Sequence, residues 1–161
     1  MRLEELNELD EAAAERELLR CCGSTQWARE MATSRPFDSA EAMAETSDTI
    51  WSSLDRADWL EAFAAHPRIG DRSTSSWAAA EQAGASSAPA DLLVRLATSN
   101  REYEARFGYI FIVCATGQTA EAMLAVLEQR LTNDPDEELH IAAEEQRKIT
   151  QLRLGKLIAA P

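Results

Sequence analysis

The run His66-Pro67-Arg68-Ile69-Gly70-Asp71-Arg72 places one of the chain's 2 histidines where an amphipathic stretch stops at a proline, with two arginines following. Imidazole is the side chain that exchanges protons near neutral pH. Proline donates no backbone N–H and pushes the residue before it out of helical geometry. His66 is therefore expected at a helix exit, its ring turned aside, where it reads either as a C-terminal cap or as a proton-transfer group. Glu81-Gln82 sets a carboxylate and an amide side by side on a short helix, 15 residues beyond His66. With a flexible loop between, Glu81 can stand beside the imidazole, raising its basicity and fixing its tautomer. The alternative is a solvated glutamate on an exposed face. Arg153, between Leu152 and Leu154 on the last helix, is similarly open: a snorkelling surface residue or a buried anion clamp.

Other chemistries lack their parts. Glu137, His140 and Glu144 share one helix face, and E-x-x-H is the spacing of carboxylate-bridged dimetal bundles. Such a site needs a second E-x-x-H and further glutamates; His66 has none before it, and Glu137 is accounted for as a helix cap, so no metal is expected. No G-x-S-x-G elbow is present, and Cys114 in an apolar run reads as an inert core thiol. No phosphate loop or dinucleotide fingerprint occurs. What is left is cofactor-free acid–base work, or no catalysis.

The composition agrees. A chain of 161 residues fits one domain with a real core. Lysine and arginine number 16 against 28 acids, a net charge of −12, which repels phosphate backbones and argues against nucleic-acid binding. An anionic small molecule would need a local arginine pocket, and the acidic surface serves solubility. Cys21, Cys22 and Cys114 are odd in number and without metal spacing, as expected for reduced thiols in a cytoplasmic protein. The opening MRLEELNELDEAAAE is no apolar signal segment, the uncharged stretch from Tyr109 to Thr116 is too short to span a bilayer, and LIAAP is no peroxisomal address.

These candidates must be positioned by helices. Leu3, Leu6, Leu9, Ala13, Leu18 and Leu19 mark a first one, and Trp27 and Met31 a second that ends before Arg35-Pro36. Asp38 with Glu41 forms a capping-box pattern that opens a third towards Trp51. Trp59 and Phe63 give the fourth its buried face, and it leads into His66. After a polar loop from Gly70 to Ser76, a short helix from Trp77 to Ala83 is expected to stop at Gly84, with a second loop from Ala85 to Ala88. Pro89 then suits a first helical position before a long helix through Leu92, Leu93, Leu96 and Tyr103 to Gly108. Further helices run from about Thr119 to Leu131, and from Asp134-Pro135-Asp136-Glu137 towards Ile158. Tyr109-Ile110-Phe111-Ile112-Val113-Cys114 dissents: it prefers strand but has no partner strand. Its buried backbone groups need partners, and a ligand is one kind of partner, so the segment is a candidate pocket wall. The expectation is an all-α, single-domain bundle over residues 1–161, of about seven or eight helices with one buried extended apolar segment.

Taken in order, Trp27, Met31, Arg35-Pro36-Phe37, Asp58-Trp59-Leu60, His66-Pro67-Arg68-Ile69-Gly70 and Glu81-Gln82-Ala83-Gly84 resemble the OHCU decarboxylases. Asn100, Tyr103, Phe107-Gly108, Phe111, Cys114 and Arg153-Leu154 continue the resemblance over nearly the whole chain. OHCU is 2-oxo-4-hydroxy-4-carboxy-5-ureidoimidazoline, which the family decarboxylates to (S)-allantoin in urate degradation. The resemblance implies an all-α, cofactor-free carboxy-lyase, commonly a homodimer, acting on a small molecule. It assigns catalysis to His66, Glu81 and Arg153, and substrate contact to Pro67, Ala78, Gln82, Phe111, Ile112, Val113 and Cys114. Many members carry serine where this chain has Ala78, so a hydroxyl contact is lost or comes from Ser75 or Ser76. Arg68 and Arg72 are expected to brace the loop. The competing expectation is a non-catalytic helical module that binds a ligand or a partner of purine catabolism.

Overall fold

Side-chain caps set the starts of several helices, and not always where the sequence reading places them. The structure, a computed structural model, describes residues 1–69, 76–86 and 88–159. Among the described residues it contains ten helices and no strand, so the all-α expectation holds. By their contacts the residues form two units, Met1–Ala62 with Gln146–Pro161, and Phe63–Glu145.

The first unit holds α1 (Leu3–Glu8), α2 (Glu11–Leu19), α3 (Thr25–Thr33), α4 (Ala40–Ser53), most of α5 (Arg56–Ala64) and the C-terminal part of the last helix. The single first helix expected from the leucine pattern is two. Leu9 and Asp10 are extended, and the Asp10 carboxylate accepts the Ala13 N–H at 2.8 Å, restarting the helix as α2. Arg35 takes up the carbonyls freed at the end of α1, donating from Nη1 to Leu6 at 2.6 Å and to Leu9 at 2.8 Å. Asn7 makes reciprocal 2.9 Å hydrogen bonds with the Phe37 backbone. The expected Asp38–Glu41 box is not the cap of α4. That helix begins at Ala40, which leaves Ser39 as the extended residue, and its hydroxyl accepts the Ala42 N–H at 3.0 Å. Leu6, Leu18, Trp27, Met31 and Met43 are wholly buried, each worth about 1.5–3 kcal/mol of transfer free energy. Trp27 donates its indole N–H to Ser47 at 3.2 Å, so this buried aromatic leaves no donor unsatisfied.

The second unit holds α6 (Ser76–Glu81), α7 (Ala83–Ser86), α8 (Ala90–Phe107), α9 (Ala120–Arg130) and the first part of α10 (Pro135–Leu157). The expected helix from Trp77 to Ala83 ends at Glu81, and a further helix, Ala83–Ser86, runs through the expected stop at Gly84 into the start of the loop expected over Ala85 to Ala88. The split of the first helix and this extra turn account for the difference from seven or eight. Gly84 is not a helix stop: a Cβ there would lie 2.1 Å from the Gln118 carbonyl oxygen, so glycine is what lets α7 approach that backbone. Pro89 sits one residue before α8, not in its first turn. Gly108, at φ +84°, closes α8 in the left-handed conformation as expected. Thr119 caps α9 by accepting the Ala122 N–H at 3.1 Å, and Asp134 accepts the Asp136 N–H at 3.1 Å at the start of α10. The expected polar loop lies outside the described residues up to Ser75, as does Ser87 of the second expected loop.

Candidate functional site

α5 ends at Ala64, and the His66 N–H closes its last turn on the Phe63 carbonyl at 3.2 Å. His66 and Pro67 are both half-buried just beyond that helix, the exit position the proline implied. Arg68 makes a two-pronged contact with Glu104 of α8, Nε at 2.8 Å and Nη2 at 2.7 Å. Such a fork fixes the guanidinium plane and so holds the chain after Pro67, which is how a bracing residue works. Ile69 is buried beside it. Arg68, Ile69, Ala97, Asn100, Arg101 and Glu104 line a cleft of about 460 Å³. Gly70, Asp71, Arg72 and Ser75 lie outside the described residues.

Glu81 keeps only 9 % of its surface exposed, which removes the solvated-face alternative. Taking a carboxylate out of water is costly unless it is bonded or paired, so its burial is informative. Ala78, one turn earlier, is buried, and the Gln82 N–H donates to its carbonyl at 3.1 Å. Gln82 is half-buried in the turn between α6 and α7. His66, Ala78, Glu81 and Gln82 belong to the second unit; Arg153 belongs to the first. Arg153 is half-buried, its Nη1 3.4 Å from the Arg20 carbonyl at the end of α2. Burial pushes the thiols of Cys21 and Cys22 up to about 12, with the nearby Arg153 charge opposing that rise at both. The three cysteines are free thiols, and of them only Cys114 is more than marginally exposed.

The orphan apolar segment is irregular from Ile110 to Ala115, with Phe111, Ile112 and Val113 buried and Cys114 half-buried. Side chains stand in for the missing strand partner. Arg130 Nη1 donates to the Ile112 carbonyl at 2.7 Å, Gln118 Nε2 to the Cys114 carbonyl at 2.7 Å, and Glu145 accepts the Cys114 N–H at 3.2 Å.

Sequence reasoning missed the group behind this segment. Arg130 and Glu138 are 7 % and 0 % exposed and pair at 2.6 Å. Tyr103 and Asn133 also donate to the Glu138 carboxylate, and the Arg130 guanidinium lies 4.6 Å from the centre of the Phe111 ring. Burial first, and the bond to Glu138 second, hold the Tyr103 phenol well above its ordinary range, so it stays a donor. Burial pulls Arg130 down, but the Glu138 contacts outweigh it and keep the guanidinium charged. Arg130 and Glu138 stand in the last turn of one helix and the first of another, where a basic and an acidic residue read as dipole compensation. The one available signal was a tyrosine on the buried face of α8, whose hydroxyl needs a polar partner.

Glu137, His140 and Glu144 are exposed, and His140 Nδ1 contacts the Asp136 carbonyl within its own helix at 2.8 Å. Among the described residues no group of three or more His, Cys, Asp or Glu could hold a metal ion, and no helix is long and apolar enough to cross a membrane.

The model of the OHCU decarboxylase family matches residues 7–155. The uric acid degradation bifunctional protein TTL of Arabidopsis thaliana is 43% identical over 147 residues, covering 86% of this chain and 45% of that protein. A 2-oxo-4-hydroxy-4-carboxy-5-ureidoimidazoline decarboxylase of Amia calva is 40% identical over 80 residues, 50% of this chain and 46% of its own. One of Haloferax volcanii is 29% identical over 161 residues, 96% of this chain and 94% of its own. The chain thus spans about half the length of the first two relatives. A crystal structure of OHCU decarboxylase in the presence of (S)-allantoin superposes with a TM-score of 0.82 at 41% identity, over 89% of this chain and 98% of that one. An (S)-allantoin synthase at 22% identity, with a TM-score of 0.74 over 98% of this chain and 54% of its own, shares the fold. With its helices, its HPRIGDR run and its irregular apolar segment in the order that resemblance requires, this chain belongs to the OHCU decarboxylase family.

Proposed function

We propose that this chain is a cofactor-independent carboxy-lyase that converts OHCU to (S)-allantoin, the third step of urate degradation. The observation that carries this reading is the 41% identity to an OHCU decarboxylase solved in the presence of (S)-allantoin, over 98% of that chain. Glu81, buried in the same unit as His66, supports the acid–base part of it.

The substrate bears a carboxylate and a hydroxyl on one ring carbon, next to a C=N bond. When the bond to the carboxylate breaks, CO2 leaves and its electron pair moves into the imine, so the substrate supplies its own electron sink. CO2 loss leaves a C=C bond that bears the hydroxyl, and the ring nitrogen takes up a proton from solvent. His66 then takes the hydroxyl proton as that oxygen becomes a carbonyl and the C=C pair shifts to the neighbouring carbon. Glu81 orients the imidazole or binds the ureido N–H groups, and Arg153 orients an anionic or carbonyl group. Pro67, Ala78, Gln82, Phe111, Ile112, Val113 and Cys114 shape the pocket. A proton delivered to one face of the neighbouring carbon sets the S configuration.

In this reading residues 1–161 work as one catalytic domain, assembled as a homodimer. The free thiols suit a reducing, cytoplasmic setting. The test is to generate OHCU freshly from urate, add the protein and measure the enantiomers of allantoin as they form. Faster formation with S in excess supports the proposal; racemic product at the spontaneous rate leaves a non-catalytic binding module.

A further inference from the structure

We propose that Gln118 and Glu145 are positioning residues for this reaction, which fix the two peptide groups flanking Cys114 and so hold the pocket wall at residues 111–114. The inference rests on the reading of that segment as a wall of the substrate site.

Irregular backbone has no ladder to orient its peptide groups, so their direction depends on individual contacts. At Cys114 two such contacts come from side chains. The N–H meets Glu145 Oε1 of α10 at 3.2 Å, and the carbonyl accepts from Gln118 Nε2 at 2.7 Å. The chain reverses just beyond: the Gln118 N–H bonds to the Ala115 carbonyl at 3.0 Å, and Gly117 takes φ +77° at the third position of that turn. A turn with positive φ at its third residue calls for glycine, and it carries the Gln118 amide back to the carbonyl four residues earlier. The same Gln118 meets the other half of the site. Its carbonyl oxygen lies 2.1 Å from where a Cβ on Gly84 would be, and Gly84 follows Glu81 by three residues. Gln118 thus ties the wall to the turn that follows Glu81. Glu145 clamps the wall from the opposite peptide. Neither is placed among the residues that touch substrate, so each acts through the backbone it holds.

A wall that loosens loses contacts made to substrate and transition state alike, which raises KM while leaving the proton-transfer step intact. Misplacement by about 1 Å costs up to about 100-fold. Gln118→Ala and Glu145→Ala are therefore expected to lower kcat/KM about tenfold or more, with KM carrying most of the loss. Glu145→Gln keeps an acceptor oxygen for the Cys114 N–H and is expected to recover most of what Glu145→Ala loses. Steady-state kinetics on fresh OHCU, with circular dichroism to confirm folding, decide it. Alanine variants within about twofold of wild type, a loss carried by kcat, or Glu145→Gln as impaired as Glu145→Ala would each overturn the inference. Should Gln118→Ala not fold, the Glu145 pair decides alone. Wild-type turnover at the spontaneous rate would instead remove the functional reading, and this inference with it.

Discussion

Replacing Arg130 by methionine isolates the buried network that backs the apolar segment. The substitution keeps most of the side-chain volume and removes the charge. Glu138, with no exposed surface, would lose its contacts to Arg130 Nε at 3.0 and 3.1 Å and to Nη2 at 2.6 Å, keeping, among the described residues, Asn133 and Tyr103 as donors. The Ile112 carbonyl would lose its 2.7 Å donor as well. Removing one partner of a buried ion pair costs about 3–5 kcal/mol, because the other charge stays buried without compensation. The stranded carbonyl pushes the value towards the upper end. For a chain of this length that corresponds to a fall in Tm of about 6–20 °C. Urea unfolding followed by circular dichroism gives the free energy, and a thermal scan the Tm. The double variant Arg130→Met with Glu138→Leu leaves no buried charge, so it should be less destabilised than the sum of its parts by about 1 kcal/mol or more. A single-variant loss below about 1 kcal/mol, or strict additivity in the cycle, would refute the view that this pair is tightly coupled and wholly desolvated.

The packing and the thiols carry three further predictions. Gly84→Ala would force a methyl group to within 2.1 Å of the Gln118 carbonyl oxygen, so urea unfolding should show a loss of about 1–3 kcal/mol; an unchanged midpoint would mean that α7 shifts away freely. Iodoacetamide at neutral pH should alkylate native Cys114 ahead of Cys21 and Cys22, whose thiols burial pushes up to about 12. Because the folded values lie above the unfolded one near 9.0, this stabilisation is present below that pH and is lost as pH rises towards 12. Stability measured across that window should therefore decline, and less so in a Cys21→Ala, Cys22→Ala double variant; equal slopes would contradict the burial.

Period and punctuation in the sequence located most of the helices. Trp59 and Phe63 leading into Pro67 put His66 at a helix exit, and Thr119, Asp134 and Gly108 end or begin helices where their chemistry demands. What stayed hidden is non-local. Nothing in the leucine spacing of the first helix shows that Arg35 collects the carbonyls exposed at a break after Glu8. Gly84 looked like a stop signal because a close approach to Gln118, 34 positions away, leaves no local mark. In the site, Glu81 read as an ambiguous carboxylate, and only its burial separates the two readings. The orphan segment was legible as a backbone in need of partners; that Arg130, Gln118 and Glu145 supply them was not, since two sit in turns or helix ends and one on a long helix.

The most direct test of the central claim compares the wild-type protein with His66→Asn on OHCU generated freshly from urate, following CO2 release. Asparagine keeps a polar side chain of similar reach but cannot exchange a proton near neutral pH. Wild-type protein should accelerate release well above the spontaneous rate, and the variant, with an unchanged circular dichroism spectrum, should lose about 10²–10⁴-fold of that turnover. Near wild-type turnover in His66→Asn would contradict the assignment of proton transfer to His66.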